Sequence, residues 1–260
     1  MKLISLNIWG GKAYEPLLDF IKKHAGSVDI FCFQEVFMSP EKGRISEGSH
    51  LDIYDDIKEI LADYNAYFGS AQDGWNTHGP VDEEVSFGQA TFIKEGLKTE
   101  FIEHVFLAGG KNGGIPGDEH SMSSAMLCTK ISEGKKEYVV CNIHGISGPG
   151  TKLDTEKRIM QSKNIVEFYK KENNENFILC GDFNLMPDTK SMEILEENLE
   201  SLIKTFKVKN TRSTLSSYYR QLDAQKFADY TLVGRGIMVK DFKVLQDQVS
   251  DHLAMYLDFE

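Results

Sequence analysis

Acidic, amide and imidazole residues stand at the ends of apolar runs along almost the whole chain. Asn7 closes 3–6, Gln34-Glu35 closes 29–33, and Asn142-Ile143-His144 closes 138–141. Gly181-Asp182-Phe183-Asn184 closes 177–180, Asp229 sits within 227–230, and Ser250-Asp251-His252 opens the last apolar run. Glu35 and Asp251 offer the hard oxygens that suit Mg²⁺ or Mn²⁺, and Asn7 adds a neutral amide oxygen. His144 and His252, with Asp182 and Asp229 to orient or polarise them, complete what hydrolysis of a phosphate ester requires. The water needs a base, the phosphoryl oxygens need donors or cations, and the leaving oxygen needs a metal or an acid. Asp182 and Asn184 lie two apart, so on an extended strand a carboxylate to activate water and an amide to hold a phosphoryl oxygen share one side. Singly, each residue has an ordinary role as a turn former or a satisfied core or surface histidine. The combination predicts strand ends that converge on one pocket.

Eight apolar runs, 2–6, 28–34, 90–94, 124–131, 138–143, 177–181, 228–233 and 252–259, predict the strands that carry these residues. Apolar positions three and four apart predict helices over 15–25, 51–64 and 155–171, the last capped by Asp154, and Asp188-Thr189 opens another through Leu195. The mixture runs from end to end without a composition break or repeat, which predicts one α/β domain over residues 1–260. Two long loops are expected: 70–89, with Trp75 and His78, and the glycine-rich 108–123. No P-loop and no strand-to-helix G-x-G-x-x-G occurs.

Leu6-Asn7-Ile8-Trp9-Gly10, Gln34-Glu35-Val36, Asn142-Ile143-His144, Gly181-Asp182-Phe183-Asn184, Ala228-Asp229-Tyr230 and Ser250-Asp251-His252, in this order, resemble the motifs of the endonuclease/exonuclease/phosphatase superfamily. The resemblance implies a four-layered α/β/β/α sandwich, the deoxyribonuclease I-like fold, with one or two divalent metals, Mg²⁺ or Mn²⁺, at the rim of its strands. It makes Glu35 the principal metal ligand, with Asn7 and Asp251 nearby. Asp182 aligns or deprotonates the attacking water, Asn184 holds the phosphoryl group, His252 oriented by Asp229 contacts the scissile phosphate, and His144 is a second imidazole there. It assigns neither histidine as the acid. Val36-Phe37 stands where DNA-repair members carry Thr-Lys, which points away from abasic-site repair. The implied partner is a phosphoester, with nucleic acids and phospholipid headgroups both in range.

The sequence has 260 residues and a net charge of −11, a poor match for sequence-blind binding to long nucleic acids. Within it, 203–220 holds Lys204, Lys207, Lys209, Arg212 and Arg220 without an acidic residue, either a solvated basic face or a phosphate-gathering rim with Tyr218 and Tyr219. By contrast, 47–63 is acidic and favours a small or end-presented substrate. Cys32, Cys128, Cys141 and Cys180 lie in apolar runs and never as C-x-x-C, which predicts buried free thiols in a reducing, cytoplasmic setting. No apolar run is long enough to span a bilayer, the first residues read as a strand rather than a secretion signal, and nothing calls for an obligate protein partner. The expected activity is metal-dependent hydrolysis of a phosphodiester or phosphomonoester. The alternatives are a DNA or RNA nuclease and a catalytically inert interaction module on the same fold.

Overall fold

A computed structural model describes residues 1–45, 47–76, 79–118, 121–220 and 225–260; His78 and the side chain of Arg220 lie outside the described residues. In chain order the elements are β1 (Lys2–Asn7), α1 (Tyr14–Ala25), β2 (Ile30–Met38), α2 (Ile53–Ile60), β3 (Tyr64–Asp73), β4 (Ser86–Lys94), β5 (Lys98–Ala108), β6 (Ser124–Glu133) and β7 (Lys136–His144). They continue with α3 (Glu156–Glu172), β8 (Phe177–Asp182), α4 (Lys190–Glu196), β9 (Glu200–Ser201), α5 (Leu202–Thr205), β10 (Asp229–Val233), β11 (Val239–Val244) and β12 (Met255–Phe259). Two six-stranded sheets result, ordered β11-β12-β1-β2-β4-β3 and β5-β6-β7-β8-β10-β9.

Side-chain alternation in β1 and β2 makes the layers. Leu3, Ile30 and Cys32 pack toward the second sheet, with Met126, Val140 and Leu179. Ile4, Phe31 and Phe33 pack the other way, on Leu17 and Ile21 of α1 and Ile57 of α2. Ile165 and Phe168 of α3, Leu195 of α4 and Leu202 of α5 join the second sheet's core. The order helix, sheet, sheet, helix is the expected four-layered α/β/β/α sandwich. Among the described residues no helix is long and apolar enough to cross a membrane.

The differences from the sequence reading have physical causes. β3, β5, β9 and β11 had no apolar-run signal, and they are the four outer strands of the two sheets. An edge strand pairs on one side only and tolerates polar residues, as in the Val-Lys-Asp-Phe-Lys-Val of β11. The long 70–89 loop therefore shrinks to the tip of the β3–β4 hairpin. The predicted helix 51–64 ends at Ile60, because Tyr64 already pairs with Lys94. Gln34-Glu35 does not end its strand: β2 continues to Met38 past an irregularity between Phe33 and Val36. Thr155, not Asp154, caps α3 by accepting from the Arg158 N–H, and Thr189 caps α4 as expected.

The prediction of four free cysteines needs correction as well. Cys128 and Cys141 face each other across β6 and β7 with Cα atoms 4.2 Å apart and form a disulfide, while Cys32 and Cys180 are free and buried. Antiparallel pairing brings directly opposed side chains within bonding reach at any spacing along the chain, so the lack of a C-x-x-C pattern does not exclude a bond. The disulfide also removes the cysteine argument for a reducing compartment.

Asp154 has a different task from the one expected. Its carboxylate accepts from the backbone N–H of Lys190 and Ser191 at 2.7 and 2.9 Å and from the Ser191 hydroxyl at 2.6 Å, tying the 145–154 loop to the start of α4. Burial raises its pKa, but these hydrogen bonds and Arg158 outweigh that and hold it below the ordinary value. Asp154→Ala should cost about 1 kcal/mol, the usual worth of a capping carboxylate. Because the folded pKa is depressed, the contribution is present above the unfolded carboxylate's pKa and fades as pH falls through the folded one. Chemical denaturation of wild type and variant should differ at neutral pH and converge in acid.

Candidate active site

The strand registers assemble the site in rows. On the second sheet β7 and β8 pair in parallel with His144 opposite Asp182, and β8 pairs with β10 so that Asp182 is opposite Asp229. On the first sheet Asn7 lies opposite Gln34, one residue before Glu35. Glu35 has φ of 55°, a left-handed conformation that an L-residue adopts at some cost, inside the irregular stretch of β2 that re-aims its side chain. Gly181 is needed for its backbone: φ is 140°, and a Cβ would stand 2.1 Å from the Ile143 carbonyl oxygen.

The sheets meet through Asn7. Its buried Nδ2 donates to Glu35 Oε1 at 2.9 Å and to Asp182 Oδ2 at 3.0 Å, while its Oδ1 accepts from the Trp9 N–H at 2.9 Å. Asn7 therefore clamps two carboxylates from different sheets. Its amide oxygen, the expected metal-facing atom, uses one of its two lone pairs for the Trp9 N–H. Below it, Gln34 Nε2 donates to Asn142 Oδ1 at 2.6 Å, and Asn142 Nδ2 donates to the Phe33 and Ala90 carbonyls at 3.0 Å. These two amides, which the motifs placed near the pocket, are buried in the seam between the sheets.

Glu35, His144 and Asp182 each bring one ligand atom to within 4.8 Å of the others, and Asp182, Asp229 and His252 do the same. His144 Nε2 lies 3.6 Å from Glu35 Oε1 and 4.0 Å from Asp182 Oδ2. Two closely spaced carboxylates, Asp182 buried and Glu35 half-buried, linked by one neutral amide and flanked by an imidazole, form a donor set that fits a hard divalent cation. Asp251 stands on the other flank, 3.7 Å from both His252 Nε2 and Arg212 Nη1. Burial and the nearby Glu35 and Asp182 carboxylates push its pKa up against His252 and Arg212. For Asp182 burial also pushes upward, but His252, His144, Arg212 and Lys152 outweigh it and keep the group ionised.

His252 is buried, with Nδ1 2.9 Å from both oxygens of Asp229. Burial and Arg212 lower its pKa, yet Asp229, Asp251 and Asp182 prevail and raise it to about 9. Its Nε2 lies 2.6 Å from Arg212 Nη1. Arginine only donates, so this contact belongs to neutral imidazole with its proton on Nδ1. Imidazolium must exchange it for an acceptor such as a phosphoryl oxygen.

Asp182 and Asn184 do meet, but not by strand alternation. β8 ends at Asp182, whose Oδ1 accepts from the Asn184 N–H at 2.8 Å, and Asn184 turns left-handed with φ of 54°. Its Oδ1 accepts from Lys152 Nζ and its Nδ2 donates to the Gly145 carbonyl at 3.2 Å. Since an ammonium only donates, Lys152 fixes which way this amide points. Lys152 was missed by the sequence reading, because it lies in an irregular loop with no periodic pattern. Of the basic segment, Arg212 enters the site, whereas Lys204 pairs with Glu196 at 2.7 Å and Lys209 lines a separate groove with Phe206, Phe242 and Lys243.

The Endonuclease/Exonuclease/phosphatase family model matches residues 4–252. No curated protein matches the sequence. Among solved structures, the chain is similar over 100% of its length to a Bacteroides thetaiotaomicron mannosyl-6-phosphatase, with 17% identity, a TM-score of 0.69 and 99% of that chain covered. An endonuclease/exonuclease/phosphatase family protein from Leptotrichia buccalis matches at 19% identity and TM-score 0.69, over 100% of this chain and 99% of that one. The human Nocturnin catalytic domain with bound sulfate matches at 16% identity and TM-score 0.67, over 100% and 94%. At these identities the structures establish a shared fold, and the match over 4–252 establishes the rest: the chain belongs to the endonuclease/exonuclease/phosphatase family.

Proposed function

We propose that the protein is a phosphoester hydrolase that uses Mg²⁺ or Mn²⁺ and favours a small or end-presented substrate. The observation that carries this reading is the convergence of Glu35, Asp182, His144 and the Asp229–His252 pair at the ends of strands from both sheets. Glu35 would hold the cation with Asp182 and His144 beside it and Asp251 on the far flank. When bound, the ion would supply charge neutralisation for phosphoryl or leaving-group oxygens.

The chain's own groups account for the remaining roles. Asp182, kept ionised by the surrounding cations, aligns the attacking water and takes its proton. The Asn184 Nδ2 offers a second N–H beyond the one given to Gly145, and this holds a phosphoryl oxygen. Asp229 fixes the His252 ring so that Nε2 presents a proton to the same group. That the sequence keeps Glu35, Asp182, Asn184, Asp229, Asp251 and His252 together speaks against an inert interaction module. The net charge of −11 and the acidic α2 face favour a compact anion over a long polyanion. A mannosyl-6-phosphatase on the same fold is consistent with such a substrate.

Hydrolysis of a generic phosphoester should require Mg²⁺ or Mn²⁺ and stop in EDTA; activity undiminished by chelator in metal-free protein would refute the reading. Asp182→Asn and His252→Ala should each reduce kcat by at least about 10²-fold with the circular dichroism spectrum unchanged, as expected for a lost base or phosphoryl contact. Retention of most of kcat by either would remove that residue's role.

The Asn7 clamp generates a separate test. Asn7→Asp places a third carboxylate against Glu35 and Asp182, so the variant should melt several degrees below wild type in EDTA and recover more than wild type when Mg²⁺ is added. Glu35→Gln should instead raise the Mg²⁺ concentration for half-maximal activity. An unchanged metal titration would take Glu35 out of the coordination shell.

A further inference from the structure

Lys152 and Arg212 are buried cations that the strand-end motifs leave unexplained. Lys152 is 4% exposed and Arg212 2%. Buried charges are normally paired, yet among the described residues no carboxylate lies within ion-pair distance of the Lys152 ammonium. Its hydrogen bonds go to two neutral acceptors, the Ser147 carbonyl at 2.8 Å and Asn184 Oδ1. An ammonium has three N–H bonds, so one is left over. Arg212 is also incompletely satisfied: Nε is buried without a partner, and Asp251 Oδ2 is 3.7 Å from Nη1, too far for a hydrogen bond.

The same ring brings both cations together. Lys152 Nζ is 6.0 Å and the Arg212 guanidinium 5.1 Å from the centroid of Tyr218. Lys152 is held there at φ of 59°, a left-handed conformation, by a loop whose Ile146, Ser147, Pro149 and Leu153 carbonyls all accept from buried Arg158. Mutual repulsion between two buried cations is tolerated where an anion is received, and the neighbours of both, Asn184 and His252, are the groups assigned above to the phosphoryl oxygens.

The geometry points to Lys152 and Arg212, backed by Tyr218, as a two-cation cradle for a dianionic terminal phosphate, which makes a phosphomonoester rather than a phosphodiester the preferred substrate. This rests on the hydrolase reading for the location of the phosphoryl group. It goes beyond that reading by choosing the substrate's charge state. A monoester presents two charges and three free oxygens, whereas a diester presents one charge and two free oxygens, so a second buried cation gains more from the former.

The test is calorimetric titration of the full chain in excess Mg²⁺ at about pH 7.5, where inorganic phosphate is mostly a dianion and Lys152, lowered by burial to about 8, is still mostly an ammonium. The ligands are inorganic phosphate and dimethyl phosphate, and neither requires turnover. Wild type should bind inorganic phosphate at least about tenfold more tightly than dimethyl phosphate. Lys152→Gln should weaken phosphate binding by about tenfold or more, the worth of one charge-assisted hydrogen bond, and change dimethyl phosphate binding by much less. Lys152→Arg keeps the charge and should retain the preference for phosphate. Tyr218→Leu should reduce it, and with the wild-type preference decides the matter if Lys152→Gln does not fold. Equal binding of the two ligands by wild type, or unaltered phosphate affinity in Lys152→Gln, would overturn the cradle. Loss of the hydrolase reading would show separately, as absence of metal-dependent turnover with phosphate binding intact.

Discussion

One amide holds the two halves of the pocket together. Asn7 donates to Glu35 within its own sheet and to Asp182 across the gap, and its carbonyl is tied to the Trp9 backbone so that the amide cannot turn over without losing all three bonds. Two carboxylates brought close, one buried and one half-buried, repel each other, and a donor shared between them offsets part of that cost. Directly behind, the Gln34–Asn142 pair bridges the same sheets in the dry interior and reaches the Phe33 and Ala90 carbonyls. Such polar contacts fix register where apolar packing alone would tolerate a slip, since a one-residue shift would turn these side chains to the opposite face.

The charges behind this seam are balanced as a group rather than in pairs. Asp182 is kept ionised because His252, His144, Arg212 and Lys152 surround it, while Asp251 next to the same carboxylates is pushed the other way. His252 is raised by three carboxylates even though it is buried and faces a guanidinium. A site of this kind has its groups poised in unlike protonation states, which is the condition for separating the tasks of base and phosphoryl donor. The large apolar layers on either side of each sheet provide the stability against which this buried charge is held.

The 145–154 loop shows how an irregular segment can be as fixed as a strand. Arg158, fully buried at the start of α3, donates to four of its carbonyls; Gln161 Oε1 accepts from the Ile146 N–H at 2.9 Å; Asp154 binds the loop's far end to α4. With its backbone groups satisfied in this way, the loop carries Lys152 into the interior as a defined part of the site.

The sequence by itself determined the central strands, the layered class, and the residues Glu35, His144, Asp182, Asp229 and His252 that the structure brings together, because buried strands leave continuous apolar runs and the polar residues ending them stand out. It did not disclose the four edge strands, whose one-sided pairing permits a mixed pattern. Tertiary structure alone decided that Gln34 and Asn142 join the sheets, that Asn184 reaches Asp182 through a turn and that Cys128 meets Cys141. It alone decided that Lys152 and Arg212 share Tyr218. These depend on which strands become neighbours and on how loops turn and cross, and neither is marked in the local pattern of the sequence.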